Sequence, residues 1–289
     1  MVCHLASSLS YLLKTEFVTL YTDSHCHLNR LDLSPYQGDL SNALQAARDA
    51  GVTRFLAVAV DLDDCPVLAS IAATHPDVGY SVGVHPCEDP AMMARASVEH
   101  LVQLAADPKV WAIGETGLDF YHSTEHIPAQ TDCFARHIEA GKRSAKPIIV
   151  HTRSAKQATI DVLRAEQASH GILHCFTEDW DTARAALDLG FYISFSGIIS
   201  FKNAQSLRDV AKQVPRDRVL IETDSPYLAP MPYRSKPNEP LYLPFVAKAL
   251  ADVYGISQQA LADLTRQNFE QLLAQPNVHH TANPDYSGR

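Results

Sequence analysis

The 289-residue chain predicts an α/β protein, a single (β/α)8 TIM barrel whose chemistry lies at the carboxyl ends of its strands. Three observations predict it. Eight short β-rich runs alternate with amphipathic helical patterns from about Thr19 to about Ala274, which is the grammar of parallel strands joined by crossover helices. Ionisable residues stand at the ends of five of these runs. Neither a G-x-G-x-x-G nor a Walker A sequence follows any of them, so the usual phosphate loops of the alternative architecture, an open doubly wound sheet, are missing.

In chain order the expected strands are Leu20–Ser24, Arg54–Val60, Gly79–Val84, Val110–Gly114, Pro147–Val150, Gly171–Leu173, Phe191–Phe195 and Arg218–Ile221. Most are apolar runs, as expected when both faces of a strand are covered. Between the first two, Leu40, Ala43, Leu44 and Ala47 recur at helical spacing, with Asp39 or Ser41 available as a cap and Gly51 placed to end the helix. Ala183, Ala186 and Leu187 before Gly190 repeat the pattern, as do Leu207, Val210, Ala211 and Val214 before Pro215. Two last helices, about Pro244–Tyr254 and Ser257–Leu273, complete the outer ring. The expected division is an N-terminal extension over residues 1–19, one barrel domain over 20–275 and a C-terminal tail over 276–289.

With 46% hydrophobic residues the chain can bury a large core, and no low-complexity run or repeat suggests a solenoid. A formal net charge of -9 repels polyanions, so a nucleic-acid substrate requires a local basic patch or bound cations. The six cysteines are scattered without a C-x-x-C pair and read as reduced thiols of a cytoplasmic protein. Leu5 to Leu20 is fairly apolar, but Lys14 and Glu16 interrupt it, and it lacks a basic n-region and an A-x-A cleavage site. It is too short and too polar to span a bilayer.

His25 and His27 flank Cys26 at the end of the first strand, where residues two apart point the same way and both imidazoles can meet one metal ion. Cys26 then faces away. Alone this spacing is weak in a chain of 14 histidines. It gains force because Glu115, His151, His174 and Asp224 end four further strands at the same barrel face, and buried ionisable groups gathered at one place call for something cationic. Six ligands that include a carboxylate able to bridge, for which Glu115 is the natural choice, suit two divalent ions about 3.5–4 Å apart better than one. Mixed nitrogen and oxygen donors suit zinc, manganese, iron or nickel, with magnesium less favoured by imidazole.

The motifs His25-Cys26-His27, Gly83-Val84-His85-Pro86, Gly114-Glu115-Thr116-Gly117-Leu118-Asp119, Pro147 through Arg153, His174-Cys175-Phe176-Thr177 and Glu222 through Leu228 together resemble the successive motifs of the TatD family. The resemblance covers about Tyr21 to Ala274, including Asn238-Glu239-Pro240 and Asn268-Phe269. It implies an amidohydrolase-type metal barrel with DNase activity. It also implies that His25, His27, Glu115 and Asp224 bind one metal while Glu115, His151 and His174 bind the second. The departures are the N-terminal extension, the tail after Pro276, and Ser235 where the family often has glycine. None of them touches a ligand.

The expected reaction is phosphodiester hydrolysis: two metals acidify a water, the hydroxide attacks phosphorus in line, and Glu115 and Asp224 are the catalytic carboxylates, Asp224 taking or returning the proton. His85 and Arg153 are the expected substrate contacts, with Arg153 on a loop. Glu222 is placed to orient a ligand or pair with a cation, and Asp119 and Tyr121 to shape the pocket from a loop. The other histidines, including His75, His100, His122, His126, His137 and His170, read as surface residues, and His279 and His280 as part of a loose tail.

The substrate favoured by the resemblance is the 3′ end of single-stranded DNA, with RNA as a further candidate. Lys202, Arg153, Lys156, Arg234 and Lys236 are expected to make a basic rim, and Tyr121, Phe176, Trp180 and Tyr227 to stack bases. The alternative is an ester or amide substrate such as D-aminoacyl-tRNA or a small molecule. Least favoured is a non-enzymatic partner-binding barrel, because every ligand position is filled.

Overall fold

The computed structural model describes residues 19–275; the N-terminal extension through residue 18 and the tail from residue 276, with Cys3, His279 and His280, lie outside the described residues. Eight parallel strands follow one another around a ring in chain order. They are β1 (Tyr21–Cys26), β2 (Val52–Ala57), β3 (Val78–Val82), β4 (Val110–Asp119), β5 (Ile148–Arg153), β6 (Gly171–Leu173), β7 (Tyr192–Phe195) and β8 (Val219–Ile221). The α-helices are α1 (Leu40–Asp49), α2 (Cys65–Thr74), α3 (Pro90–Arg95), α4 (Val98–Leu104), α5 (Ile127–Ser144), α6 (Lys156–Ala165), α7 (Trp180–Asp188), α8 (Gln205–Ala211), α9 (Leu243–Tyr254) and α10 (Gln258–Ala274). Among the described residues no helix is long and apolar enough to cross a membrane.

Local chemistry sets the helix ends. The Asp39 carboxylate accepts from Ser41 N at the start of α1, Asp179 accepts from Thr182 N at α7, and Ser257 accepts from Ala260 N at α10. Each satisfies a backbone donor that has no partner inside the helix.

The period of two along a strand divides the core. Leu56, Val58, Ala112, Ile149, Ile172, Tyr192 and Leu220 form one buried cluster inside the ring, and Phe269 and Leu272 of α10 pack onto it. Their sequence neighbours Phe55, Ala57, Ile113, Val150, Leu173, Ile193 and Ile221 belong to the larger cluster between strands and helices. The inward parity carries on toward the carboxyl ends. Two residues beyond Ile149 comes His151, two beyond Ile172 comes His174, and two beyond Leu220 comes Glu222. The lumen is thus apolar at the α10 end and ionisable at the other.

Seven ladders join neighbours from β1 to β8. At the β1/β8 seam, hydrogen bonds outside regular strand pairing draw the ring together. Asp23, buried beneath the site, accepts from Thr223 N at 2.9 Å and Thr223 Oγ1 at 2.6 Å. Ser24 Oγ donates to Ile221 O at 3.0 Å, Asp224 N to His25 O at 2.9 Å, and His27 N to Ser225 O at 2.8 Å. The seam therefore uses the very segments that carry ligand-type side chains.

Several strand ends differ from expectation. β4 runs through Asp119 and β5 through Arg153, because pairing continues as Thr116↔Val150, Gly117↔His151, Leu118↔Thr152 and Asp119↔Arg153. Asp119 and Arg153 consequently sit on strands and not on loops. The surface reading of two histidines is also corrected: His137 and His170 are buried. His137 Nε2 accepts from Val84 N at 3.0 Å and its Nδ1 faces Cys133 O at 2.7 Å, so it ties the end of β3 to α5. Burial lowers both imidazoles to about 4.

Candidate metal centre

The carboxyl halves of β1, β4 and β5 and the first residues beyond β1, β6 and β8 bring His25, His27, Glu115, His151, His174 and Asp224 to one place. Glu115 is at its middle. Its Oε2 lies 3.4 Å from His25 Nε2 and 3.9 Å from His27 Nε2. Its Oε1 lies 2.6 Å from His174 Nε2, 3.2 Å from His151 Nδ1 and 3.4 Å from His85 Nε2. Asp224 closes the first side, with Oδ1 at 3.4 Å from His27 Nε2 and 3.7 Å from His25 Nε2. One carboxylate thus faces a different set of imidazoles with each oxygen.

Several ring nitrogens point inward while the opposite nitrogen is held. His27 Nδ1 meets Val58 O at 3.0 Å, His174 Nδ1 meets Glu222 Oε1 at 3.3 Å, and His151 Nε2 meets Asp119 Oδ2 at 3.1 Å. Glu222 is itself fixed by Cys175 N at 2.7 Å. Such outer partners orient a ligating ring and leave its inward lone pair free. The tips of His25 and His27 stand 3.3 Å apart, and the buried His174 Nε2 lacks an aligned hydrogen bond despite its short contact with Glu115. Buried imidazole tips converging on each other and on carboxylates fit a cation between them. The His/Glu/Asp clusters here are able to hold metal.

The electrostatics agree with that fit. Burial alone would neutralise Glu115, but the charge of His174 foremost, together with a hydrogen bond from His151, holds it well below the usual carboxylate range. Burial is likewise overcome at Asp224 by His27, His25 and His174, which lower it. Against the burial penalty, Glu115 and Glu222 raise His174 well above the ordinary imidazole value, and Asp224 raises His27. Burial lowers His25, and His174 lowers it further. Protonated imidazoles serve as the positive charge when no metal is bound, so metal binding releases protons.

His85 faces the same Glu115 oxygen but differs in tautomer. The backbone N–H of Cys87 donates to its Nδ1 at 3.1 Å, which leaves the hydrogen of the neutral ring on Nε2, aimed at the centre. Burial lowers His85 to about 3, so it stays neutral. A neutral ring with Nε2–H donates a hydrogen bond and cannot also ligate through that nitrogen.

Above the centre lies a cavity of about 870 Å³ whose wall includes His85, Glu88, Tyr121, Arg153, Glu178 and Tyr227. Arg153 rests over the Tyr121 ring, with Cζ 4.6 Å from its centroid. Tyr121 and Tyr227 are exposed by 65% and 52%. The expected rim is otherwise corrected. Lys156 pairs with Asp179, Arg234 lies over Phe201, Lys236 lies over Tyr233, and none of these nor Lys202 lines the cavity. Phe176 is buried, and the partly buried Trp180 packs against the core and does not line the cavity. Cys87 and His122, which were not expected at the site, line the cavity beside Asp119. The available signal was position: His122 follows the ionisable end of β4 by three residues, and Cys87 follows His85 by two.

A family model described as TatD related DNase matches residues 22–274. A relative described as the uncharacterized metal-dependent hydrolase YcfH of Escherichia coli K12 is 46% identical over 254 residues, covering 86% of this chain and 94% of the relative. Another, described as the uncharacterized metal-dependent hydrolase TatD of Mycobacterium tuberculosis, is 37% identical over 256 residues, covering 85% and 95%. Among solved structures, the TatD homologue YjjV of Escherichia coli superposes with a TM-score of 0.80 at 24% identity, covering 90% of this chain and 99% of that one. That likeness speaks to the barrel fold.

Proposed function

Because the chain belongs to the TatD-related DNase family of metal-dependent hydrolases, we propose that it cleaves phosphodiester bonds, removing nucleotides from the 3′ end of single-stranded DNA. The observation that carries this reading is Glu115, whose two oxygens face separate sets of ligand-type side chains at the floor of the cavity. In this reading His25, His27, Glu115 and Asp224 hold one divalent ion, and Glu115, His151 and His174 hold the other. Bound there, the ions supply the charge that acidifies water and offsets negative charge developing at phosphorus.

The protein groups divide the remaining work. Asp224 borders the cavity, held low enough to be ionised at neutral pH, and is the base that accepts a proton from water and returns it to the leaving oxygen. His85 Nε2–H donates to a non-bridging phosphate oxygen. Arg153 forks onto the next phosphate, with Tyr121 and Tyr227 as exposed faces for unpaired bases. A recessed centre selects chain ends, and a duplex must fray to reach it.

One observation favours a second reading. Arg153 is the lone Lys or Arg among the residues lining the described cavity, while Glu88 and Glu178 share its wall, a balance that also suits a less charged ester such as an aminoacyl-tRNA end. A time course on end-labelled oligonucleotides with a divalent-metal series separates the two. The expected result is a metal-dependent ladder shortening from the 3′ end, faster on single strands than on blunt duplex and slower with added salt. Intact oligonucleotide beside rapid ester hydrolysis would transfer the assignment to the ester.

A further inference from the structure

The cavity wall carries a second set of ligand-type side chains, Cys87, Asp119 and His122, which touches the Glu115 centre only through the Asp119–His151 contact. Asp119 ends β4 and is 1% exposed, and its two oxygens have different surroundings. Oδ1 accepts the backbone N–H groups of Tyr121 at 2.9 Å and His122 at 2.8 Å, which fixes the carboxylate. Oδ2 meets His151 Nε2 at 3.1 Å, His122 Nδ1 at 2.9 Å and Cys87 Sγ at 3.5 Å. Cys87 and His122 are exposed and line the cavity, so ions in solution can reach them.

The donor atoms of Cys87, Asp119 and His122 all lie within 4.8 Å of one another. Two ligands on one tetrahedral zinc ion, a sulfur at about 2.3 Å and an oxygen at about 2.0 Å, stand about 3.5 Å apart. Cys87 Sγ and Asp119 Oδ2 already have that separation. We propose that Cys87, Asp119 and His122 form a further divalent-cation site, distinct from the Glu115 centre, that holds a zinc-class ion through one thiolate, one carboxylate and one imidazole. Its fourth position opens on the cavity and takes water or an anionic oxygen of the substrate. Thiolate and imidazole donors select zinc, cobalt or cadmium over magnesium and calcium.

On binding, the Cys87 S–H bond breaks and its proton leaves to solvent, the neutral His122 ring shifts the proton it holds toward Asp119 from Nδ1 to Nε2 by way of water, and the sulfur and Nδ1 electron pairs bond the ion. In the metal-free protein, partial burial of the sulfur against Asp119 and the charge of that carboxylate push the Cys87 thiol up to about 12 although the residue as a whole is exposed; an ion between sulfur and Oδ2 turns that repulsion into shared attraction. The same oxygen supports His151, so occupancy of this site is coupled to the neighbouring centre. The assignment stands on geometry and is independent of which bond the enzyme cleaves.

The test is a cobalt(II) titration of the metal-stripped full chain, followed by absorption. The first equivalents fill the all-nitrogen-and-oxygen centre and give visible bands only. A further equivalent is expected to bring a near-ultraviolet thiolate-to-cobalt band that Cys87→Ser abolishes and His122→Ala weakens, with the visible bands of the first equivalents retained. Both side chains are exposed, so both variants are expected to fold. Absence of the band at several equivalents overturns the site, and so does a band that survives Cys87→Ser, which would place the thiolate at Cys175. Neither result depends on the oligonucleotide time course.

Discussion

At the scale of single residues, tautomers separate ligands from donors. His85 lies as close to Glu115 as His25 does, 3.4 Å in each case, and distance alone would rank them together. The N–H of Cys87 on Nδ1 decides otherwise. His85→Ala is accordingly expected to leave metal content unchanged while lowering kcat/KM by about 10²-fold, the order reported for loss of one preorganised donor. Elemental analysis beside steady-state kinetics checks this, and loss of metal would return His85 to the ligands. The sequence carried the inward histidines and acids well, since position at a strand end is visible in the order of residues. It did not carry tautomer, which depends on a backbone N–H two residues on. It also hid His137, although its signal was present: His137 shares a helical face with Cys133, Phe134 and Ile138, all buried, and an imidazole on such a stripe belongs to the core.

At the scale of elements, strand identity and order were legible because apolar runs and helical periods alternate without interruption. Strand ends were not, because polar residues such as Thr116, Asp119 and Thr152 read as turns while their backbones still pair. Gly117 shows what that extended pairing demands. It lies opposite His151 with φ +136°, and a Cβ there would stand 2.0 Å from His151 O. Any side chain must force β5 away from β4, and with it His151 away from Glu115. Gly117→Ala is expected to lower stability by about 2–3 kcal/mol through strain and overpacking and to reduce bound metal. Urea unfolding and metal content measured on one preparation check both parts; unchanged values would mean the strands tolerate the separation.

At the scale of the whole molecule, acid weakens the fold through its buried histidines. His137 titrates near 4 in the folded chain and near 6.5 once unfolded. Between these values the unfolded state holds the proton and the native state does not, so stability rises with pH across the window and is lost as pH falls from 6.5 toward 4, by about 3 kcal/mol. His170 acts in the same direction. Urea midpoints from pH 7 to pH 4.5 should fall less steeply in His137→Gln, and equal slopes would exclude His137 as a source. The β1/β8 seam has a different reach. Asp23 and Thr223, which it joins, are 200 positions apart in sequence, and the ligand-type side chains of the same segments, His25, His27 and Asp224, are the proposed holders of one cation. In the polymer sense that ion closes a loop spanning most of the barrel, where the entropy of closure grows with the logarithm of loop length. Saturating metal at about 100 times its dissociation constant should stabilise the fold by about 2.7 kcal/mol, read as a rise in melting temperature that a chelator removes. An ion held jointly by the first strand and the segment after the last would add to the hydrogen bonds of the seam, so amide exchange in β1 and β8 should accelerate together when the metal is withdrawn.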